Sequence, residues 1–384
     1  MPVAANWAYF DHAAVAPLSQ PALDAMREWA ADVANNGDVH WARWRNRIEH
    51  VRRLAADLLN CETAEIALIR NTTEGITLVA EGLPWQPGDN VVVPASEFPS
   101  NLYPWLNLRD RGVEVRLVGR PSEAVPESDC PGIPSNFDAV DPNAIADAID
   151  EHTRVVAVSW VGYLTGWRSG LDELAGIAHE NGALFFVDAI QGLGVFPLDV
   201  RQTPVDFLAA DGHKWLLGPE GAGVFYVRRE LLDELRPLGV GWNSVKHAGD
   251  FGRTEMELKN SAGRYEGGSY CVANLLAFGA SLEMLHSIGT QRLSERLIGV
   301  TERLCERLKG VGAEVLSCRD EGRASGIVSF RLPGRDSKSI QQDCRAQGVV
   351  VNRRGGAVRL SPHAYTDETD IERLLAALVT KEGI

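Results

Sequence analysis

Val205-Asp206-Phe207-Leu208-Ala209-Ala210-Asp211-Gly212-His213-Lys214-Trp215 is an apolar run that ends in a lysine. Gly218-Pro219-Glu220-Gly221-Ala222-Gly223 follows it and opens a second apolar run, Ala222 to Val227. Short, near-continuous apolar runs read as strands buried on both faces. Lysine is among the residues least often buried without a partner, so Lys214 just beyond such a strand is expected to carry chemistry. Its amine can form an imine with a carbonyl cofactor. A surface lysine in a turn would carry the same five letters, so the choice needs a second signal elsewhere. The glycine run is not a dinucleotide fingerprint, because it leads into a strand where that motif needs a helix.

Outward from this stretch, further strand-like runs are Val91 to Val93, Val113 to Val118, Arg154 to Trp160 and Ala183 to Asp188. Helix-like stretches at 72–82, 101–111 and 171–180 alternate with them, which predicts a mostly parallel sheet covered on both faces. Residues 19–36 and 41–60 have the spacing of amphipathic helices. Gly119 to Pro142 is proline-rich and aperiodic, as a long surface loop would be. From about Cys271 the pattern changes. Helices over 271–288 and 291–309 lead into short strands at 313–317, 326–332, 348–353 and 357–361, with helices at 337–347 and 368–380. The expected division is a large α/β domain over 15–255 and a smaller α+β domain over 256–384, with residues 1–14 packing on the latter. A Gly-rich segment, 241–268, links them.

The 384 residues carry a net charge of −14, which leaves no basic surplus to neutralise nucleic-acid phosphates. A small anionic ligand needs only a local cluster of donors. Met1 to Asp11 has no basic start followed by an apolar run, and no stretch is long and apolar enough to span a bilayer. The six cysteines (Cys61, Cys130, Cys271, Cys305, Cys318, Cys344) show no CxxC pair and no zinc spacing. Reduced thiols in a cytoplasmic protein without a metal site are therefore expected.

Two further signals bear on Lys214. Ala183 to Val187 ends in Asp188-Ala189-Ile190-Gln191-Gly192. A carboxylate at a strand's C-terminal edge in an open parallel sheet sits where ligands bind. Pyridoxal 5′-phosphate needs such a carboxylate against its ring nitrogen, to keep the ring able to absorb electrons from the substrate's Cα. Gln191 is close enough in sequence to reach the ring's phenolic oxygen. A helix N-cap would also explain Asp188. The other signal is Arg70-Asn71-Thr72-Thr73-Glu74-Gly75 before a helix, where hydroxyls and free N–H groups suit a phosphate, although an ordinary cap reads the same way.

Together these residues resemble the class V aminotransferase family, the branch that includes cysteine desulfurases, selenocysteine lyases and isopenicillin N epimerase. The resemblance runs from Tyr9-Phe10-Asp11-His12-Ala13-Ala14 to Arg359-Leu360-Ser361-Pro362-His363-Ala364-Tyr365. It includes Glu97 to Trp105, Arg264 to Ser269, and the interval from Asp188 to Lys214 (214 − 188 = 26 residues). It implies the fold-type-I architecture of PLP-dependent transferases and a homodimer with shared active sites. Lys214 is then the Schiff-base lysine, Asp188 the ring-nitrogen partner and Gln191 the phenolic-oxygen contact. Phe98 takes the ring-stacking position, and Thr72, Thr73 and His213 bind phosphate. Ser269 stands where the family reaches the neighbouring subunit's cofactor phosphate. Arg359 matches the grip on the substrate's α-carboxylate, with Arg353, or its neighbour Arg354, close by and Tyr163 near the cofactor.

Departures from the desulfurase pattern shape the expected reaction. Val349 to Val358, where those enzymes carry a persulfide-forming cysteine, has none, and Cys344 reads as structural. Phe98 replaces a stacking histidine, and Tyr163 an asparagine. Asp211 stands where a phosphate-binding serine is common; a carboxylate there repels a dianion, so it is expected to point away. The substrate implied is a small α-amino acid, and the reaction a C–S lyase type of β-elimination without a persulfide. Transamination, epimerisation and an inert cofactor-binding protein are the alternatives.

Overall fold

The computed structural model describes residues 1–119 and 133–379. Strands in chain order are β1 (Ala8–Tyr9), β2 (Ile66–Ile69), β3 (Asn90–Pro94), β4 (Glu114–Val118), β5 (Thr153–Ser159), β6 (Leu184–Asp188) and β7 (Phe207–Asp211). They continue with β8 (Gly223–Val227), β9 (Glu314–Val315), β10 (Val328–Arg331), β11 (Val349–Val350), β12 (Asn352–Arg354) and β13 (Ala357–Leu360). Seven of them form one sheet in the order β2-β8-β7-β6-β5-β3-β4. From β4 through β7 the pairings are parallel, whereas β8 runs antiparallel to both β7 and β2.

Alternation within each apolar run explains why the inner strands lack a polar face, whereas the edge strand β4 exposes Glu114 and Leu117. Val156, Val158, Phe185, Val187, Leu208, Ala210 and Val224 point into one core, which the helices 41–59, 171–180 and 272–288 help to fill. Their neighbours Val155, Ala157, Phe186, Phe207, Ala209 and Phe225 point into a second core against the helix 72–82. A third core lies under the four-stranded antiparallel sheet β12-β13-β10-β9, and Ala8 and Phe10 belong to it. β1 pairs there with β11, in parallel.

Four local expectations change. Ile66–Ile69 is a strand that the apolar pattern did not separate from its flanks. The expected helix over 101–111 is three short turns, Pro99–Asn101, Tyr103–Leu106 and Asn107–Arg111. Pro99 and Pro104 lack the N–H that would continue a preceding helix, so each starts a new turn. The expected strand 348–353 is two strands, because β11 pairs with β1 and β12 with β13. Of the expected loop 119–142, residues 120–132 lie outside the described residues, and Pro142 already begins a helix, Pro142–Ala148.

Candidate active site

Four strand ends converge at the carboxyl edge of the parallel sheet, the place where open α/β sheets bind ligands. Asp188 is the last residue of β6, Asp211 the last of β7, Ser159 the last of β5, and Glu97-Phe98 follow β3. After β7 the chain turns back sharply: the Gly212 N–H donates to the Ala222 carbonyl (2.8 Å), and a Cβ at Gly212 would meet that oxygen and the Phe278 ring. Gly218 then closes onto the Gly212 carbonyl (2.9 Å). The turn holds Lys214 against the sheet edge with only 9 % of its surface exposed.

Lys214 and Asp188 share a cavity of about 330 Å³ with Asn71, Thr72, Thr73, Phe98, Tyr163, Gln191, Asp211, His213, Arg354 and Arg359. Lys214 Nζ lies 5.8 Å from the centre of the Phe98 ring, and Phe98 meets Tyr163 edge-on. Burial, reinforced by the Arg359 charge, lowers the Lys214 pKa to about 8, with Asp188 opposing. Burial raises Asp188 to about 6, against a hydrogen bond from the Ile190 N–H (3.0 Å) and the nearby Lys214 charge.

Arg359, on β13, is 2 % exposed. Its Nη1 donates to the Tyr163 carbonyl (2.7 Å), and Nη2 lies 3.5 Å from Asp11 Oδ1. Nε and Nη2 have no hydrogen-bond partner among the described residues. Burial lowers its pKa to about 10, opposed by Asp11. Nε and Nη2 are themselves buried, with Asp11 the one counter-charge beside them among the described residues, and a guanidinium edge left so is costly.

At the other end of the cavity, the Asn71 side chain caps the helix 72–82. The Thr72 hydroxyl accepts from the Asp211 N–H (3.0 Å), and the Thr73 hydroxyl donates to Ser100 Oγ (2.9 Å). Asp211 is among the lining residues, and its carboxylate is buried. Its Oδ2 lies 2.9 Å from His213 Nδ1, off the line of a hydrogen bond, and Oδ1 has no partner among the described residues.

Gln191 lines the cavity, but its amide is already engaged: Nε2 donates to the Ala13 carbonyl (3.0 Å) and Oε1 accepts from Trp215 Nε1 (2.8 Å). Arg353 is a correction. Side chains alternate along β12, so Asn352 and Arg354 share a face, and Arg354, not Arg353, lines the cavity. Ser269 is elsewhere. It lines a separate cavity of about 740 Å³, which shares Asn71 and Thr73 with the first.

Sequence reasoning missed Ala13 to Val15, Ser100 and Ser159 as lining residues. It also gave no role to Glu97, a buried carboxyl raised by burial to about 8. Glu97 accepts from the Ser159 N–H (2.5 Å) and its hydroxyl, which ties the Phe98 turn to β5. Its placement three residues after an apolar strand was the available signal.

The aminotransferase class-V family model matches residues 8–374, and the chain belongs to that family. The family's cofactor is pyridoxal 5′-phosphate. A probable cysteine desulfurase of Methanothermobacter thermautotrophicus is 32 % identical over 97 % of this chain and 94 % of its own length. The apo structure of a cysteine desulfurase from Thermococcus onnurineus superimposes with a TM-score of 0.86 at 25 % identity, covering 98 % of this chain and 95 % of that one. The cystine C-S lyase C-DES, in complex with its product cysteine persulfide, shares the fold at a TM-score of 0.87 and 24 % identity, over 98 % of both chains.

Proposed function

We propose that the chain is a pyridoxal-phosphate enzyme that cleaves a carbon–sulfur bond at Cβ of a small α-amino acid without storing the sulfur on a cysteine of its own. One observation carries this reading: a buried lysine, a buried aspartate and a buried arginine with an unpartnered edge meet in one cavity at the carboxyl ends of the sheet. The residues present fit the family's cofactor. Lys214 would hold it through its amine and Asp188 at the ring nitrogen. Phe98 would cover the ring, with Gln191 beside it. Thr72, Thr73 and His213 would serve the phosphate. When bound, the cofactor supplies a ring that takes up the electron pair left at the substrate's Cα.

The chain's own groups do the rest. With its pKa near 8, Lys214 is in part a neutral amine at neutral pH, able to remove the Cα proton and return it. Asp188 is anionic above about pH 6 and stabilises positive charge at the ring nitrogen. Arg359, which lines the cavity, would meet the α-carboxylate with its guanidinium, a charge-assisted contact that fixes the amino acid's orientation. Tyr163 and Phe98 line the cavity beside it.

The proposed sulfur step needs no thiol of the chain. No cysteine lines the cavity among the described residues, and Cys130 lies outside them. Burial pushes the Cys344 thiol up to about 11, which makes it a poor nucleophile. From cysteine the sulfur would leave as sulfide and from cystine, with its S–S bond intact, as cysteine persulfide; the remainder would take up water to give a keto acid and ammonia. The desulfurase relatives and the C-S lyase neighbour support a cysteine-like substrate. The reading includes a homodimer in which Ser269 of one copy serves the phosphate end of the other, supported by the contiguity of the two cavities at Asn71 and Thr73. The reading also places the protein in the cytoplasm, in keeping with five unpaired thiols among the described residues.

The test is a product assay with L-cysteine and L-cystine. Equimolar keto acid and ammonia, with the cofactor left in its aldehyde form, are expected. Stoichiometric conversion of the cofactor to its amine form, without sulfur release, would overturn the lyase reading in favour of transamination.

A further inference from the structure

The described part of the proline-rich segment does more than cross the surface. Asp138 is 3 % exposed, and its carboxylate sits in a cup of consecutive backbone N–H groups. Oδ2 accepts from Leu164 (2.9 Å), Thr165 (2.8 Å) and Gly166 (3.3 Å), and Oδ1 accepts from the Thr165 hydroxyl. Such a nest of N–H groups is a binding site for an anion, and here the anion comes from within the chain. The turn is built around it. A Cβ at Gly162 would run into the Asp138 carboxyl, and Gly166 takes a positive φ (+77°) that glycine alone adopts freely.

The same turn touches the active site. Its Tyr163 carbonyl is the sole hydrogen-bond acceptor of Arg359 among the described residues. The Leu164 carbonyl accepts from Ser329 Oγ (2.5 Å) on β10. The strap that carries Asp138 is fastened on its other side to the sheet that carries Arg359. The Ile133 N–H donates to the Gly355 carbonyl (3.0 Å), the Asn136 N–H donates to the Leu316 carbonyl (3.1 Å), and Arg331 donates to the Ile133 carbonyl. Ile133, Leu164, Leu316 and Ala357 pack together beneath it, with Phe137 and Tyr163 at the edge.

We propose that Asp138 is a positioning residue: by clamping the Gly162–Gly166 turn it holds the Tyr163 carbonyl that aims the Arg359 guanidinium, and so sets the enzyme's grip on the substrate carboxylate. The inference rests on the carboxylate-binding role proposed for Arg359. Neither Asp138 nor its partners Leu164, Thr165 and Gly166 line the cavity, so Asp138 acts on the site only through the turn.

The experiment compares cofactor-loaded wild type, Asp138→Ala, Asp138→Asn, Gly162→Ala and Arg359→Ala. One readout is the half-saturating concentration of L-alanine and of ethylamine, followed by the change in cofactor absorbance. The other is hydrogen exchange at the Leu164, Thr165 and Gly166 amides of the cofactor-free proteins. Arg359→Ala is expected to weaken L-alanine at least tenfold and leave ethylamine unchanged, as loss of a charge-assisted pair should. Asp138→Ala is expected to follow it in the same direction by about tenfold, with faster exchange at the three amides. Asp138→Asn keeps one acceptor oxygen and should fall between it and wild type. Gly162→Ala displaces the carboxylate without removing it; it should match Asp138→Ala, which keeps the test open if the alanine variant does not fold. If Arg359→Ala loses the preference for L-alanine while Asp138→Ala and Gly162→Ala keep it, the positioning role is overturned and the carboxylate role stands. If Arg359→Ala itself keeps the preference, both are overturned.

Discussion

The pKa of Lys214 is lowered to about 8 by burial first and by the Arg359 charge second, and this has a measurable consequence for cofactor capture. Only the neutral amine attacks an aldehyde. With a pKa near 8, about 9 % of the protein has a neutral Lys214 at pH 7, about half at pH 8 and about 90 % at pH 9. The capture rate should therefore rise about tenfold from pH 7 to pH 9 and flatten at the top of that range. A lysine at its ordinary value near 10.5 would instead gain about a hundredfold over the same range and show no plateau. The assay is stopped-flow absorbance of the cofactor-free protein mixed with pyridoxal 5′-phosphate. Each rate is divided by the rate constant of the neutral amine of Nα-acetyl-lysine at the same pH, which removes the cofactor's own titrations. Neighbouring charges fix the sign in variants. Arg359→Ala removes a cation that disfavours the charged amine, so the midpoint should move up. Asp188→Asn removes an anion that favours it, so the midpoint should move down. A midpoint near 10.5 in the wild type, or shifts of the opposite sign, would refute the electrostatic reasoning.

Asp188→Asn should lose turnover far more than cofactor content, because the carboxylate's charge matters most when charge develops on the ring; a variant with the wild-type rate would remove that role. Glu266 offers a stability test remote from Lys214: it holds Arg52 bidentately and accepts from the Leu68 N–H and the Tyr270 hydroxyl. Glu266→Gln leaves the buried guanidinium with only the more exposed Glu49 as counter-charge and is expected to cost about 3 kcal/mol in denaturant unfolding; a loss under about 1 kcal/mol would show that the pair is dispensable. Single serine replacements of all six cysteines should leave turnover within a few-fold; a persulfide trapped on any one of them, with activity lost on its replacement, would contradict the proposed sulfur step.

The parallel sheet was legible because its inner strands are near-continuous apolar runs, a pattern that two-sided burial requires. Lys214 and Asp188 were legible because a charged residue at the end of such a run has few structural uses. The face of β12 was legible in principle: the resemblance left Arg353 and Arg354 open, and period-two alternation puts them on opposite faces. Other features were not in the local pattern. β2 is only four residues long, and its apolar letters are equally those of a helix approach. The clasp of Asp138 by Leu164 to Gly166 joins residues 26 to 28 positions apart through backbone N–H groups, which no side-chain motif records. The engagement of Gln191 by Trp215 and Ala13 depends on the N-terminal segment folding over the sheet edge, a contact spanning 178 residues.

The central claim is that Lys214 carries the cofactor, and one measurement addresses it directly. The loaded protein is reduced with borohydride, digested, and mapped by mass spectrometry for the pyridoxyl-lysine adduct. The adduct is expected on Lys214, and Lys214→Ala should abolish both the adduct and the visible absorbance before reduction. The natural competitor is Lys259, half-buried, with its pKa also lowered chiefly by burial. An adduct on Lys259, or visible absorbance and turnover retained in Lys214→Ala, would contradict the assignment.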